Sequence, residues 1–350
     1  MCKKIVFVVG GMTRGGAERV ISILSREYIR KGWNVSIVLL LFSNIEYKLE
    51  DKISIVDLSG KISSRIMRAP YWVIKLRKYL KSEKPDVVVA FAARVNVMMM
   101  LSAFGLKVKK IISERNDPMH DGRGRFTQLL IQLLYPRADK IVFQTTRTMQ
   151  YFDKRIRKKG LVIYNPIEVD KKAQTAKSHK IVSVGRLEKQ KNHRILIEAF
   201  SEIVKKYPEY ELWIYGEGTL RNDLQSLSNK MGINNCVFLP GIAKNVHEQI
   251  ADAQMFILSS DYEGLSNALM EAMMMGLPCI STNCAGSDEL IEHNVNGLLV
   301  PVGDKKGLEA SMEKLILDKE LADRLSENAR NSSKKYSIES VMSQWDLILQ

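Results

Sequence analysis

Gly185-Arg186-Leu187-Glu188-Lys189-Gln190-Lys191-Asn192 stands between two readable elements. Lys180-Ile181-Val182-Ser183-Val184 before it is short and β-branched, the composition of a strand. His193 to about Lys206 after it carries apolar residues at helical spacing. The octapeptide is therefore the loop at the carboxyl end of a strand that feeds a helix, the edge at which open α/β sheets take their ligands. It brings Arg186 and Lys191, five residues apart, to that edge. Two converging cations suit a diphosphate.

The same rhythm extends in both directions. Lys4–Val9, Asn34–Leu41, Ile53–Asp57, Asp86–Phe91, Lys109–Ser113 and Lys140–Thr145 read as strands. Ala17–Lys31, Tyr71–Ser82, Asn96–Phe104, Arg125–Tyr135 and Thr146–Lys154 read as the helices between them. A second series starts at Lys180–Val184 and continues through Glu211–Tyr215, Val237–Leu239, Met255–Leu258, Pro278–Thr282 and Gly297–Val300. Strands alternating with helices imply mostly parallel sheets covered on both faces. The chain thus reads as α/β, with two Rossmann-like domains: residues 1–168, residues 169–335, and a terminal helix over 336–350. The join, near Asn165–Ser178, is polar and opens on an Asn-Pro turn.

Composition narrows the class. The 350 residues are 45% hydrophobic, enough for two cores. No signal peptide precedes the first strand, and the longest apolar stretch, Val95 to Leu106, is too short to span a bilayer. The four cysteines, Cys2, Cys236, Cys279 and Cys284, have no metal-binding spacing and read as reduced thiols. Charge is uneven. Residues 1–170 hold 32 Lys and Arg against 15 Asp and Glu, and residues 171–350 hold 21 against 24. A basic first half calls for an anionic partner, nucleic acid or membrane. No nucleic-acid reader motif accompanies the charge. Residues 61–84 carry eight basic side chains and one acid, interleaved with Tyr71, Trp72, Ile74, Leu76, Tyr79 and Leu80. With Pro70 at its start, this stretch reads as a basic amphipathic helix for a membrane surface.

Beyond the cations, Glu263 and Glu271 stand eight residues apart, the second on a helix that Ser266 or its neighbours begin and Gly276 ends. Eight helical residues span at most about 12 Å, enough to separate a ribose from a hexose across a diphosphate. Cations for the diphosphate and carboxylates for hydroxyls fit a nucleotide-sugar. The segment Gly10 to Gly16 is glycine-rich but matches neither G-x-G-x-x-G nor a P-loop.

These pieces resemble one family. G-R-L-x-x-x-K-N at Gly185–Asn192, Glu263-Gly264 with Glu271, Gly15-Gly16-Ala17-Glu18-Arg19 and Val162–Pro166 are similar to the signature segments of the GT-B-fold retaining glycosyltransferases of family 4. The likeness runs from about residue 3 to 345. A closer resemblance, through Gly15–Arg19 and Ile111–Glu114, is to members that extend polyprenyl-diphosphate-linked or capsular glycans. It implies two Rossmann-like domains facing across a cleft and a terminal helix that returns to the first domain. It also implies donor binding by Gly15, Gly16, Gly185, Arg186, Lys191, Gly264, Leu265, Ser266 and Glu271. Arg186 and Lys191 would stabilise the departing diphosphate, a type of contact worth about 3–4 kcal/mol. Glu263 would lie at the sugar and Glu271 at the ribose. Where close relatives carry a histidine this chain has Arg115, which leaves Glu114, Asp117 and His120 as acceptor-side candidates. The expected activity is transfer, with retention, of a hexose or N-acetylhexosamine from a UDP-sugar to a lipid-linked or polysaccharide glycan. No metal or other cofactor takes part. The location expected is cytoplasmic, peripheral at the inner face of the membrane. The alternatives are a GT-B UDP-sugar epimerase and a basic nucleic-acid-binding protein.

Overall fold

Thirteen parallel strands form two sheets in the computed structural model, which describes residues 2–13, 15–60, 65–115, 118–119, 121–170 and 178–350. Asp117 and His120 lie outside the described residues, as do Arg14 and 171–177. The first sheet contains β1 (Lys4–Val9), β2 (Asn34–Leu39), β3 (Ser54–Asp57), β4 (Val87–Phe91), β5 (Lys109–Glu114), β6 (Lys140–Phe143) and β7 (Gly160–Val162). Its order is β3-β2-β1-β4-β5-β6-β7. The second contains β8 (Lys180–Val184), β9 (Glu211–Tyr215), β10 (Val237–Gly241), β11 (Met255–Leu258), β12 (Cys279–Thr282) and β13 (Leu298–Val300). Its order is β10-β9-β8-β11-β12-β13.

Pleating explains the unbroken apolar runs of the central strands. Successive residues face opposite sides of a sheet. In β1, Val6 and Val8 join one core and Ile5, Phe7 and Val9 another. In β4, Val88 and Ala90 separate in the same way from Val87, Val89 and Phe91. A strand buried on both faces has no polar face to alternate with. The edge strand β3, Ser-Ile-Val-Asp, is mostly exposed and shows the mixed composition that an edge permits.

The chain divides into two compact units, residues Met1–Pro166 with Ile338–Gln350, and residues Ile167–Ser337. The return passage is paired with the outgoing one: Ile167 N–H donates to Tyr336 O at 2.8 Å. The terminal helix Ile338–Leu349 belongs to the first unit. There Trp345 is fully buried and stacks on Phe91, and Tyr28 hydroxyl bonds Asp346 at 3.3 Å.

Local expectations were revised at several places. The reading missed β7, three residues long and too short to show a period. The helix expected over Thr146–Lys154 is two, Thr146–Gln150 and Lys154–Arg157, because Asp153 caps the second through the N–H groups of Arg155 and Ile156. The basic helix runs Arg65–Glu83 with Pro70 inside it rather than at its start. Its aromatics do not face outward. Trp72 is buried and donates its indole N–H to Ser59 O at 2.8 Å, while Leu76 and Leu80 lie in the core. Arg77 donates to the carbonyls of Ser102 and Phe104. Among its outward residues are Arg68, Ile74, Lys75, Lys78 and Lys81, with Glu83 near its end.

Candidate active site

In the second sheet β8 lies between β9 and β11, so the strand order reverses there. Helix connections diverge at such a point and leave a crevice at the carboxyl ends of the strands. The loop after β8 is Gly185–Asn192, and the loop after β11 is Ser259–Ser266. The two are tied together along their length. Asp261 N–H donates to Gln190 O at 2.9 Å, and Asn192 Nδ2 donates to Asp261 Oδ1 at 2.7 Å. Gln190 Nε2 donates to Tyr262 O at 2.9 Å, and Ser259 Oγ to Lys191 O at 3.0 Å.

At the centre Lys191 Nζ pairs with Glu263 Oε1 at 2.5 Å, and Ser260 Oγ donates to the same oxygen at 2.6 Å. Both charged side chains are largely buried. Arg186 differs: it is exposed, and its guanidinium donates only to the neutral Gln190 Oε1, at 3.2 Å, with no carboxylate partner among the described residues. The two cations expected together are thus unequal. Arg186 makes no ion pair, although the nearby Glu188 carboxylate feels its charge, whereas Lys191 is already paired.

Glu271 sits on the helix Asn267–Met275, which Ser266 caps by accepting from Leu269 N–H and which ends at Gly276, as the sequence predicts. Its carboxylate is buried and lies 3.3 Å from His247 Nε2. His247 Nδ1 faces Asp170 at 3.9 Å. Leu265 and Ser266 are buried in the turn between Glu263 and this helix.

Sequence reading missed two supports of the site. One is the loop after β9, where a Cβ on Gly216 (φ 148°) would lie 1.9 Å from Gly185 O. This close approach lets Gly185 N–H reach Tyr215 O, and the alternating glycines Gly216 and Gly218 were its only local sign. Another is the loop after β12, where Gly286 (φ 86°) touches Gly264 so closely that a Cβ would lie 2.1 Å from its carbonyl. His193 packs rather than caps, since Asn192 supplies the cap, accepting from Ile195 N–H. Its ring is buried with neither nitrogen in a normal hydrogen bond. Burial, and then the nearby Lys191 charge, pull its pKa down to about 4.

Two predicted site segments belong to the first unit. Gly15 and Gly16 follow β1, which flanks that sheet's own reversal point between β1 and β4. Gly15 is the N-cap of the helix Gly16–Arg30 and offers no side-chain cap; the Glu18 carboxylate folds back over this first turn, close enough that a Cβ on Gly15 would lie 2.1 Å from its Oε2. Glu114, at the end of β5, is 1% exposed. Its oxygens accept from Arg123 Nη2 at 2.8 Å, Asn96 Nδ2 at 3.2 Å and the Tyr135 hydroxyl. Its ionic partner is Arg123, not the neighbouring Arg115. These three donors tie the end of β5 to the helix Ala93–Ser102, to Arg123 and to Tyr135. Among the described residues no three His, Cys, Asp or Glu side chains gather as a metal-ligand set.

A reversal-point crevice lined with cations and carboxylates, in a pair of Rossmann-like units, defines the GT-B class of sugar-transferring folds. Residues 14–171 match the family model described as Glycosyltransferase Family 4, and residues 166–332 match that of Glycosyl transferases group 1. Together the two matches run over residues 14–332 and identify the chain as a glycosyltransferase. It is 27% identical to an uncharacterized glycosyltransferase of Haemophilus influenzae, over 99% of this chain and all of that one. It is also 27% identical to the N-acetylgalactosamine-N,N'-diacetylbacillosaminyl-diphospho-undecaprenol 4-alpha-N-acetylgalactosaminyltransferase of Campylobacter jejuni, over 95% and 96% of the two chains. Among solved structures, Anabaena HepE in complex with UDP superposes with a TM-score of 0.88 at 19% identity, covering 99% of each chain.

Proposed function

We propose that the protein transfers a hexose or N-acetylhexosamine, with retention, from a UDP-sugar to a glycan carried on a polyprenyl diphosphate. The observation that carries this reading is the Arg186, Lys191 and Glu263 arrangement on two loops tied together where the second sheet reverses. The UDP in the HepE complex and the undecaprenol-linked name of the Campylobacter enzyme support the choice of donor and acceptor.

In this reading Arg186 and Lys191 neutralise the diphosphate as it leaves, Glu263 holds the sugar, and Glu271 holds the ribose hydroxyls. The N–H groups of Gly264, Leu265 and Ser266, at the helix start, face the phosphates. The bond from the anomeric carbon to the diphosphate breaks as the acceptor oxygen adds on the same face. The acceptor proton passes to a departing phosphate oxygen, so no protein base is required. Side-chain cations supply the charge stabilisation, and transfer proceeds without a metal.

The first unit meets the lipid that carries the acceptor, at the inner face of the cell membrane. Among the described residues no helix is long and apolar enough to cross a membrane. The surface that fits is the helix Arg125–Leu134, which exposes Phe126 (73%), Leu129 (53%) and Leu133 (51%) beside the exposed Arg125 and Arg137. An apolar helix face rimmed by cations suits an anionic interface.

The test is a screen of nucleotide-sugars read by nucleotide release, with and without lipid extract and with and without EDTA. Release of UDP that depends on lipid extract and survives EDTA is expected. Release without any acceptor, accompanied by a changed free sugar, would favour an epimerase instead.

A further inference from the structure

We propose that Arg115 anchors a phosphoryl-binding site at the carboxyl edge of the first sheet, separate from the cations of the second unit. Arg115 follows β5 and is 6% exposed. Its guanidinium is held on two sides. Nη1 donates to Asn165 Oδ1 at 2.7 Å, an oxygen that also accepts from Gln144 Nε2 at 2.9 Å. The Phe91 ring lies 4.9 Å below it. The remaining donors, Nε and Nη2, have no hydrogen-bond partner and are screened from water. These two N–H groups form the side edge of the guanidinium, whose spacing matches two oxygens of a phosphate or carboxylate.

A buried cation without a counter-charge is costly, and proteins pair such groups. Here the described residues provide no ion pair, and burial alone lowers the guanidinium pKa to about 9. The surroundings favour an anion. Phe91, Arg115, Gln144 and Asn165 stand just at or beyond the ends of four successive strands, β4, β5, β6 and β7. Beside them starts the helix Ala93–Ser102, whose N-cap, Ala92, makes no side-chain cap and holds φ 74°, a left-handed conformation unusual for alanine. Strain of that kind concentrates at ligand sites. The uncapped helix start adds its own positive end to the guanidinium edge. With the donor diphosphate assigned to Arg186 and Lys191, the phosphoryl group that fits here is the diphosphate of a lipid-carried acceptor. The inference rests on the proposed function only in naming that source.

Calorimetry with UDP and with inorganic pyrophosphate tests it on the wild type, Arg115→Lys, which keeps charge without the fork, and Arg115→Gln. UDP-saturated wild type is expected to bind pyrophosphate at a second site that Arg115→Lys weakens by about tenfold or more. No second site in UDP-saturated wild type, with or without a fall in UDP affinity in Arg115→Lys, would overturn a separate site. Unchanged binding of both probes in both variants would overturn the site. A structure of the wild type with UDP and pyrophosphate decides the matter even where a variant does not fold. A phosphoryl oxygen within hydrogen-bond distance of Nε or Nη2 is expected, and occupied ligands with none there would refute it. Failure of UDP to bind would count against the proposed donor, while pyrophosphate alone would still read Arg115.

Discussion

At the scale of single residues, the pairing of Lys191 with Glu263 changes what each substitution should do. Arg186 is exposed and makes no ion pair, so Arg186→Ala should leave folding intact and lower turnover by roughly 10²–10³, as loss of a charge stabiliser does. Lys191→Ala removes the cation from a largely buried carboxylate, so it should also lower stability by about 1–3 kcal/mol. Glu263→Gln frees Lys191 from its counter-charge. UDP should then bind as well as before or a few-fold tighter, at roughly 1 kcal/mol or less, while turnover falls. Calorimetry with UDP beside steady-state kinetics reads all three, and weaker UDP binding in Glu263→Gln would reject the charge argument. His193 makes a pH prediction. Its folded pKa, about 4, lies below the ordinary histidine value of about 6.5, so the unfolded chain takes up the proton first. Stability is therefore complete above about pH 6.5 and is lost as pH falls toward 4, by an amount on the order of 3 kcal/mol. Acid denaturation followed in wild type and His193→Leu should show a shallower loss in the variant. Arg186, Lys191, Glu263 and Glu271 were legible because one loop or one helix fixes their spacing. Ser260 and His247 were not, because only chain crossings bring them to Glu263 and Glu271.

Among the elements, two helices of the first unit compete for the lipid surface. The helix Arg65–Glu83 is the more basic in sequence, but its aromatic residues pack inward and Arg77 is committed to backbone carbonyls. The helix Arg125–Leu134 is less charged yet turns three large apolar side chains to solvent. Hydrophobic insertion and charge attraction add in membrane binding, each exposed basic residue contributing about 1 kcal/mol when unscreened. Substituting Phe126, Leu129 and Leu133 by serine should therefore reduce sedimentation with anionic vesicles at both low and high salt. Replacing Lys75, Lys78 and Lys81 by glutamate should reduce it mainly at low salt, because exposed charges are screened. Full vesicle binding by the serine triple would remove this helix from the interface. Periodicity reveals that a helix is amphipathic, but not which of its faces the core takes when both contain apolar residues. For Arg65–Glu83 that was decided by the seat that Trp72 finds on Ser59 O.

For the molecule as a whole, the two units are unequal in how their chain is drawn. The first unit is completed by the last helix, with Trp345 stacked on Phe91 and Asp346 bonded to Tyr28 and Lys31. Trp345→Ala should cost the first unit about 3–5 kcal/mol, the usual penalty for emptying a large aromatic site. Thermal unfolding should then separate into two transitions, the earlier one belonging to the first unit. A single unshifted transition would show that the helix contributes little. Because Phe91 also lies under Arg115, the same substitution should disturb anion binding there before it disturbs UDP binding in the second unit.

The amino-acid sequence by itself determined the parallel α/β architecture, the presence of two similar units, and the cations and carboxylates of the second. These are local properties: hydrophobic period sets the element type, and a turn between a strand and a helix sets where a loop's side chains emerge. Tertiary structure alone decided the rest. It chose the strand order that places β8 against β11, and so set the Arg186 loop beside Glu263. It gave Glu114 to Arg123 and left the edge of Arg115 without a partner. The physical reason is range. A residue's secondary structure depends on neighbours within a few positions, whereas the partner of a buried charge is whichever group the folded chain brings within reach, from any distance along the sequence.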